Sequence, residues 1–141
     1  MQSLIAPNST ILIAEDDDDG RGMMQTLLRL KGYDVVGARD GMQAIDLALA
    51  KTPDLILLDL ELPLLNGLAV TESLRRLSQF KQVPIVIVSG HDPRKYREAA
   101  LAAGCVDYLL KPIDFEALED ILAASVPLSN APVLHRQAKT A

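Results

Sequence analysis

Five short aliphatic runs recur along this chain, each followed by an amphipathic stretch. That alternation limits the fold more than any other feature of the sequence. The runs are Thr10–Ala14 (TILIA), Asp34–Ala38 (DVVGA), Leu55–Leu58 (LILL), Ile85–Val88 (IVIV) and Val106–Leu110 (VDYLL). Short runs rich in Ile, Val and Leu, with no polar alternation, suit strands buried on both faces. The intervening segments read as helices. Asp18–Lys31 carries Met23, Met24, Leu27, Leu28 and Leu30, largely on one face. Asp40 caps a segment with Ala44, Ile45, Ala48 and Leu49, and Asn66 caps Gly67–Leu77. Asp92 opens a segment that runs to Ala103, and Asp114 caps a last one with Phe115, Leu118, Ile121 and Leu122. Asp and Asn side chains accept the orphan N–H groups of a first helical turn. Gly32 and Gly104 stand where helices should stop.

Parallel strands need crossover helices, so strict β-α alternation predicts a parallel sheet covered on both faces. Five strands with right-handed crossovers predict a flavodoxin-like (βα)5 fold in the order 2-1-3-4-5. At 141 residues the chain holds one domain. Its expected limits are 10–125, with an N-terminal arm at 1–9 and a C-terminal tail at 126–141 that is too short for an effector domain. The starting Met and the plain tail favour a natural full-length chain.

Composition narrows the function. Apolar residues make up 49 %, which excludes wholesale disorder. No apolar run approaches the ~18 residues of a membrane span, and the first ten residues lack the Lys or Arg of a signal peptide. The expectation is a cytoplasmic protein without membrane attachment. Cys105 is the only cysteine, which excludes an intramolecular disulfide and a Cys-based zinc site. A net charge of −5 and 4 % aromatics argue against direct nucleic-acid binding.

The acids are clustered. Glu15, Asp16, Asp17, Asp18 and Asp19 follow the first apolar run directly, and Asp59 ends the third. In the order 2-1-3-4-5, strands 1 and 3 are neighbours and the switch point of the sheet lies between them, where ligands bind outside the carboxyl ends. Glu15, Asp16 and Asp59 should therefore converge. Crowded carboxylates repel unless a cation sits among them, and hard oxygen donors favour Mg²⁺. Asp18 and Asp19 need only the helix dipole to explain them. Lys111, before Pro112 at the end of the fifth strand, would direct an ammonium to the same cleft. Ser89, before Gly90 at the end of the fourth, offers a hydroxyl to a phosphoryl oxygen, and the glycine allows close backbone approach.

Together these residues resemble the response-regulator receiver domain of two-component signalling, from about Thr10 to about Ser125. Pro63, Gly67, Gly104 and Tyr108 also fit. The resemblance implies a phosphoacceptor at Asp59, served by a histidine kinase or histidine phosphotransfer protein. It implies Mg²⁺ held by Asp16, Asp59 and the backbone carbonyl of Glu61, with Glu15 acting through water. Lys111 would offset charge on the phosphorylated Asp59, Ser89 would swing to the phosphoryl group, and Tyr108 would turn inward behind it. Such a protein is a switch rather than an enzyme, although it catalyses its own phosphorylation and dephosphorylation. It signals through contacts with a downstream protein target, with room for a phosphorylation-dependent homodimer. Three departures stand out: Glu15 for the commoner Asp, Gly90 for the commoner Ala, and the pair Glu61 and His91 at positions that tune phosphoryl lifetime.

Other readings fit less well. The chain could be a receiver excised from a hybrid kinase or a longer regulator. An aspartyl-phosphate phosphatase would want a second Asp two residues after the nucleophile, where Glu61 stands. A flavin carrier would have its phosphate repelled by the acids after strand 1. A scaffold that is never phosphorylated does not account for Asp59, Lys111 and the acidic pair together. Tyr108 alone could be a half-buried strand aromatic with its hydroxyl outward. Cys105, Met23 and Met24 read as core residues, and Arg94, Lys95 and Arg97 as a solvated helix face. His91 and His135 are too far apart in sequence to suggest a shared metal.

Overall fold

A computed structural model of the chain describes residues 8–128. Strands β1 (Thr10–Ala14), β2 (Asp34–Ala38), β3 (Leu55–Asp59), β4 (Ile85–Ser89) and β5 (Asp107–Leu110) alternate with helices α1 (Asp18–Leu30), α2 (Gly41–Lys51), α3 (Gly67–Arg75), α4 (Pro93–Ala103) and α5 (Phe115–Ser125). The strands form one parallel sheet in the order β2-β1-β3-β4-β5, as the alternation predicts. β3 and β4 are buried along their whole length because both faces of the sheet are covered.

Alternation within the strands divides the core. Ile56, Leu58, Ile85 and Ile87 face α2, α3 and α4, where they meet Ala48, Val70, Leu74 and Ala100. Leu55, Leu57, Val86 and Val88 face α1 and α5, where they meet Leu28, Leu118 and Leu122. The caps form as expected: Asp40, Asn66, Asp92 and Asp114 each accept a backbone N–H of the first turn that follows. Asp17 does the same for α1. Gly104, at φ +116°, ends α4 in the left-handed region that glycine tolerates.

Several details differ from the sequence reading. The segment after Asn66 is helical only to Arg75, and Ser78–Phe80 forms a separate 3₁₀ turn. That turn buries Phe80, and the Arg75 guanidinium donates to the carbonyls of Phe80, Val83 and Gly104. On α1, Met23 and Leu30 are exposed, and only Leu28 is fully buried. The hydrophobic face of α1 is therefore narrower than its Met and Leu content suggested. Packing continues past α5: Val126 is buried, the Tyr33 hydroxyl donates to its carbonyl at 2.8 Å, and Leu128 lies against Gly32. Residues 1–7 of the arm and 129–141 of the tail, His135 among them, lie outside the described residues.

Candidate functional site

Sheet register assembles the site. Ala14 pairs with Leu58, so the residues that follow, Glu15 and Asp59, leave the sheet side by side. Asp59 pairs with Val88 and Ser89 with Leu110, and the Lys111 N–H donates to the Ser89 carbonyl at 2.7 Å. Four side chains from four strands thus reach the same carboxyl edge. Asp16, Asp59, Glu61, Ser89, His91 and Lys111 line an open cleft of about 400 Å³ there. A wider groove of about 700 Å³ between β5 and α5 holds no comparable group of acids and lysine.

Carboxylate oxygens of Glu15, Asp16 and Asp59 lie within 4.8 Å of one another. The Lys111 ammonium sits among them, donating to Glu15 Oε1 at 2.6 Å and to Asp59 Oδ2 at 3.1 Å. The Glu61 backbone N–H donates to Asp59 Oδ1 at 3.2 Å. Beneath the charged groups is an apolar floor that includes Ile13, Met24, Leu57 and Ile113. Burial over that floor, reinforced by the Glu15 carboxylate, pushes Asp59 up to about 6 against the hydrogen bond from Lys111. Burial works the same way on Glu15, but the bond from Lys111 and that to Asp59 outweigh it and leave its carboxyl below the ordinary value. Between the two, the first proton goes to Asp59. Lys111 is held above its ordinary value, because its two carboxylate partners outweigh its partial desolvation. The donor set suits a hard divalent cation: it consists of carboxylate oxygens, with Asp16 exposed at the mouth.

The second half of the site is the loop after β4. Ser89 is buried, and its Oγ accepts the His91 N–H at 3.0 Å, leaving its own proton free to be donated. Tyr108 is buried too, with its hydroxyl donating to the His91 carbonyl at 3.0 Å. The outward hydroxyl is therefore incorrect, and the ring already occupies the inward position. The His91 ring packs beside Tyr96, and its Nε2 contacts Glu61 Oε1, so a side-chain pair spans the cleft mouth. Sequence separation hid that pair. Gly90 needs no glycine for space, since a Cβ there would meet nothing within 4 Å. The close approach expected of it belongs to Gly67, where a Cβ would stand 2.6 Å from the Asp59 carbonyl oxygen. Cys105 is buried beside Thr71 Oγ1, 3.4 Å from its Sγ, as its core assignment requires. Arg94, Lys95 and Arg97 are exposed, as a solvated helix face requires, and Arg94 and Arg97 pair with Asp92 and Asp107.

A doubly covered parallel sheet in the order β2-β1-β3-β4-β5, with acids and a lysine gathered at its carboxyl edge, defines a flavodoxin-like α/β protein. Residues 11–123 match the family profile of the response regulator receiver domain, and the chain belongs to that family. It is 33 % identical over 104 residues to the polar-differentiation response regulator DivK of Brucella anthropi, covering 74 % of this chain and 85 % of that one. The chemotaxis protein CheY4 of Vibrio cholerae superposes with a TM-score of 0.79 at 27 % identity, covering 85 % of this chain and 100 % of that one. The receiver domain of the sensor histidine kinase PA1611 from Pseudomonas aeruginosa superposes at 0.77 with 34 % identity, covering 84 % and 98 %. That neighbour has a magnesium ion coordinated in its active-site cleft. Receiver domains act as signalling switches rather than conventional enzymes, and work with kinases or phosphotransfer proteins and with downstream targets. Among the described residues, no helix is long and apolar enough to cross a membrane.

Proposed function

We propose that this chain is a phosphorylation-dependent switch of the cytoplasm, whose phosphoacceptor is Asp59 in a domain spanning 10–125. The donor is a phosphohistidine on a histidine kinase or histidine phosphotransfer protein. The observation that carries this reading is the Lys111 ammonium bonded to both Glu15 and Asp59, with Asp16 alongside, from residues far apart in sequence. An Asp59 oxygen attacks the phosphorus in line, a P–O bond forms, and the P–N bond to the donor imidazole breaks. Positioning supplies most of the catalysis in such a transfer. The Glu61 N–H fixes the Asp59 carboxylate, and Lys111 offsets charge as the phosphoryl group arrives. Mg²⁺ fits the oxygen donors present; Asp16, Asp59 and the Glu61 carbonyl would hold it, with Glu15 acting through water. When bound, it neutralises charge on the transferring phosphoryl oxygens.

The signal then passes through Ser89. Its hydroxyl turns to donate to the phosphoryl group, giving up the His91 N–H that it now accepts. The Tyr108 hydroxyl rests on the carbonyl of that same His91, so movement of the β4–α4 loop is felt at the ring. A new dianionic group of about −2 charge is sufficient to bias such a two-state loop. Glu61 and His91, paired over the mouth, govern access of water and so the lifetime of the acyl phosphate. Output goes to a downstream protein through contacts. The likeness to a receiver within a sensor kinase supports the same chemistry for a module of a longer protein.

Acetyl phosphate and Mg²⁺ test this reading without a partner. Intact-mass measurement should show one added phosphoryl group, lost in Asp59→Asn and on chelation of the metal. An equal gain in Asp59→Asn would contradict the assignment.

A further inference from the structure

The backbone of Glu15 is held at both of its peptide units. Its N–H donates to the Ala38 carbonyl at 2.9 Å, on β2. Its carbonyl accepts a hydrogen bond from Arg21 Nη1 at 2.8 Å, across the start of α1. The same guanidinium bonds Asp18 Oδ1 through Nη2 at 2.6 Å, and the Arg21 side chain is only 18 % exposed. On β2, a Cβ at Gly37 would meet the Gln25 side chain at 2.5 Å and Arg21 Cδ at 3.2 Å, so the glycine leaves room for both side chains. The Glu15 carbonyl belongs to the peptide that joins Glu15 to Asp16. With the Ala14–Glu15 unit held through its N–H and the Glu15–Asp16 unit held through its carbonyl, φ and ψ of Glu15 are set; the direction of its side chain and the plane from which Asp16 departs are fixed before any ion arrives.

We propose that Arg21 is a positioning residue for the cation site, setting the Glu15–Asp16 peptide rather than touching the ion or the phosphoryl group. The proposal rests on the Mg²⁺ reading given above. A fork of rigid donors can bind a carbonyl and a carboxylate at once, and the compact lysine ammonium cannot reproduce that geometry. The pairing with Asp18 also cancels the charge that an arginine would otherwise set against a cation.

Charge and geometry act in opposite directions here, which makes the test decisive. Arg21→Met removes a positive charge and leaves Asp18 unpaired, so Coulomb attraction alone would tighten cation binding. Loss of positioning weakens it. Mg²⁺ is titrated calorimetrically into chelator-treated parent, Arg21→Met, Arg21→Lys and Asp16→Asn, and melting is followed for each without metal. The expected result is a Kd about tenfold higher in both Arg21 variants, the usual effect of losing an outer-shell partner. A Kd that is unchanged or lower in Arg21→Met, even with a lowered melting temperature, would assign Arg21 to the fold alone and overturn the proposal. If Arg21→Met does not fold, Arg21→Lys, which keeps the charge, decides on the same criterion. Failure of the underlying reading looks different: the parent would show no Mg²⁺ binding, or Asp16→Asn would bind as the parent does.

Discussion

Asp59 is buried over an apolar floor next to Glu15, and that placement shapes its acid–base behaviour. Its pKa is raised from 3.8 to about 6, chiefly by burial. A carboxyl raised in the folded state binds its proton more tightly there than in the unfolded chain. It therefore contributes stability at low pH that is lost as pH rises from about 4 to about 6. Chelator-treated Asp59→Asn escapes that loss. It should melt at a higher temperature than the parent at neutral pH, with the gain shrinking as the pH is lowered below 6. The gain is about 1–2 kcal/mol once solvent screening at the cleft mouth is allowed for. Thermal melts of both proteins across the range would check it, and a variant no more stable than the parent at neutral pH would show that Asp59 carries no such strain.

At the scale of the elements, β3 and α3 meet where the loop after Asp59 turns back. Gly67 opens α3, its N–H donates to the Leu60 carbonyl, and an added Cβ would stand 2.6 Å from the Asp59 oxygen and 2.9 Å from Ile87 Cδ1. Alanine normally strengthens a helix, but here the overlap is with backbone and dominates. Gly67→Ala should cost about 1–3 kcal/mol in urea unfolding and slow phosphorylation by displacing Asp59. A neutral effect would mean the loop yields freely. The elements themselves were legible in the sequence, because buried parallel strands leave unmistakable aliphatic runs and each helix begins with an acid or amide cap. Boundaries were less so. The break after Arg75 depends on Arg75 reaching three carbonyls from separate segments, a tertiary contact with no local signature. Met23 and Leu30 misled because hydrophobicity shows which residues can be buried, not how wide a face the sheet will cover.

For the whole molecule, strand order turns sequence distance into proximity. Glu15, Asp59, Ser89 and Lys111 could be placed at one edge because parallel strands in the order 2-1-3-4-5 present all their carboxyl ends together. What lay beyond sequence reasoning were contacts set by side-chain reach: the bridge from Glu61 to His91, the bond from the Tyr108 hydroxyl to the His91 carbonyl and the grip of Arg21 on the Glu15 carbonyl. The central claim is that the phosphoryl group resides on Asp59 as an acyl phosphate. Borohydride reduces such a mixed anhydride to the alcohol, so a phosphorylated and reduced sample, digested and sequenced by mass spectrometry, reports the position directly. Homoserine at position 59, absent without Mg²⁺, is the expected result; an unaltered aspartate there with phosphate recovered on Ser89 or another hydroxyl would contradict the account.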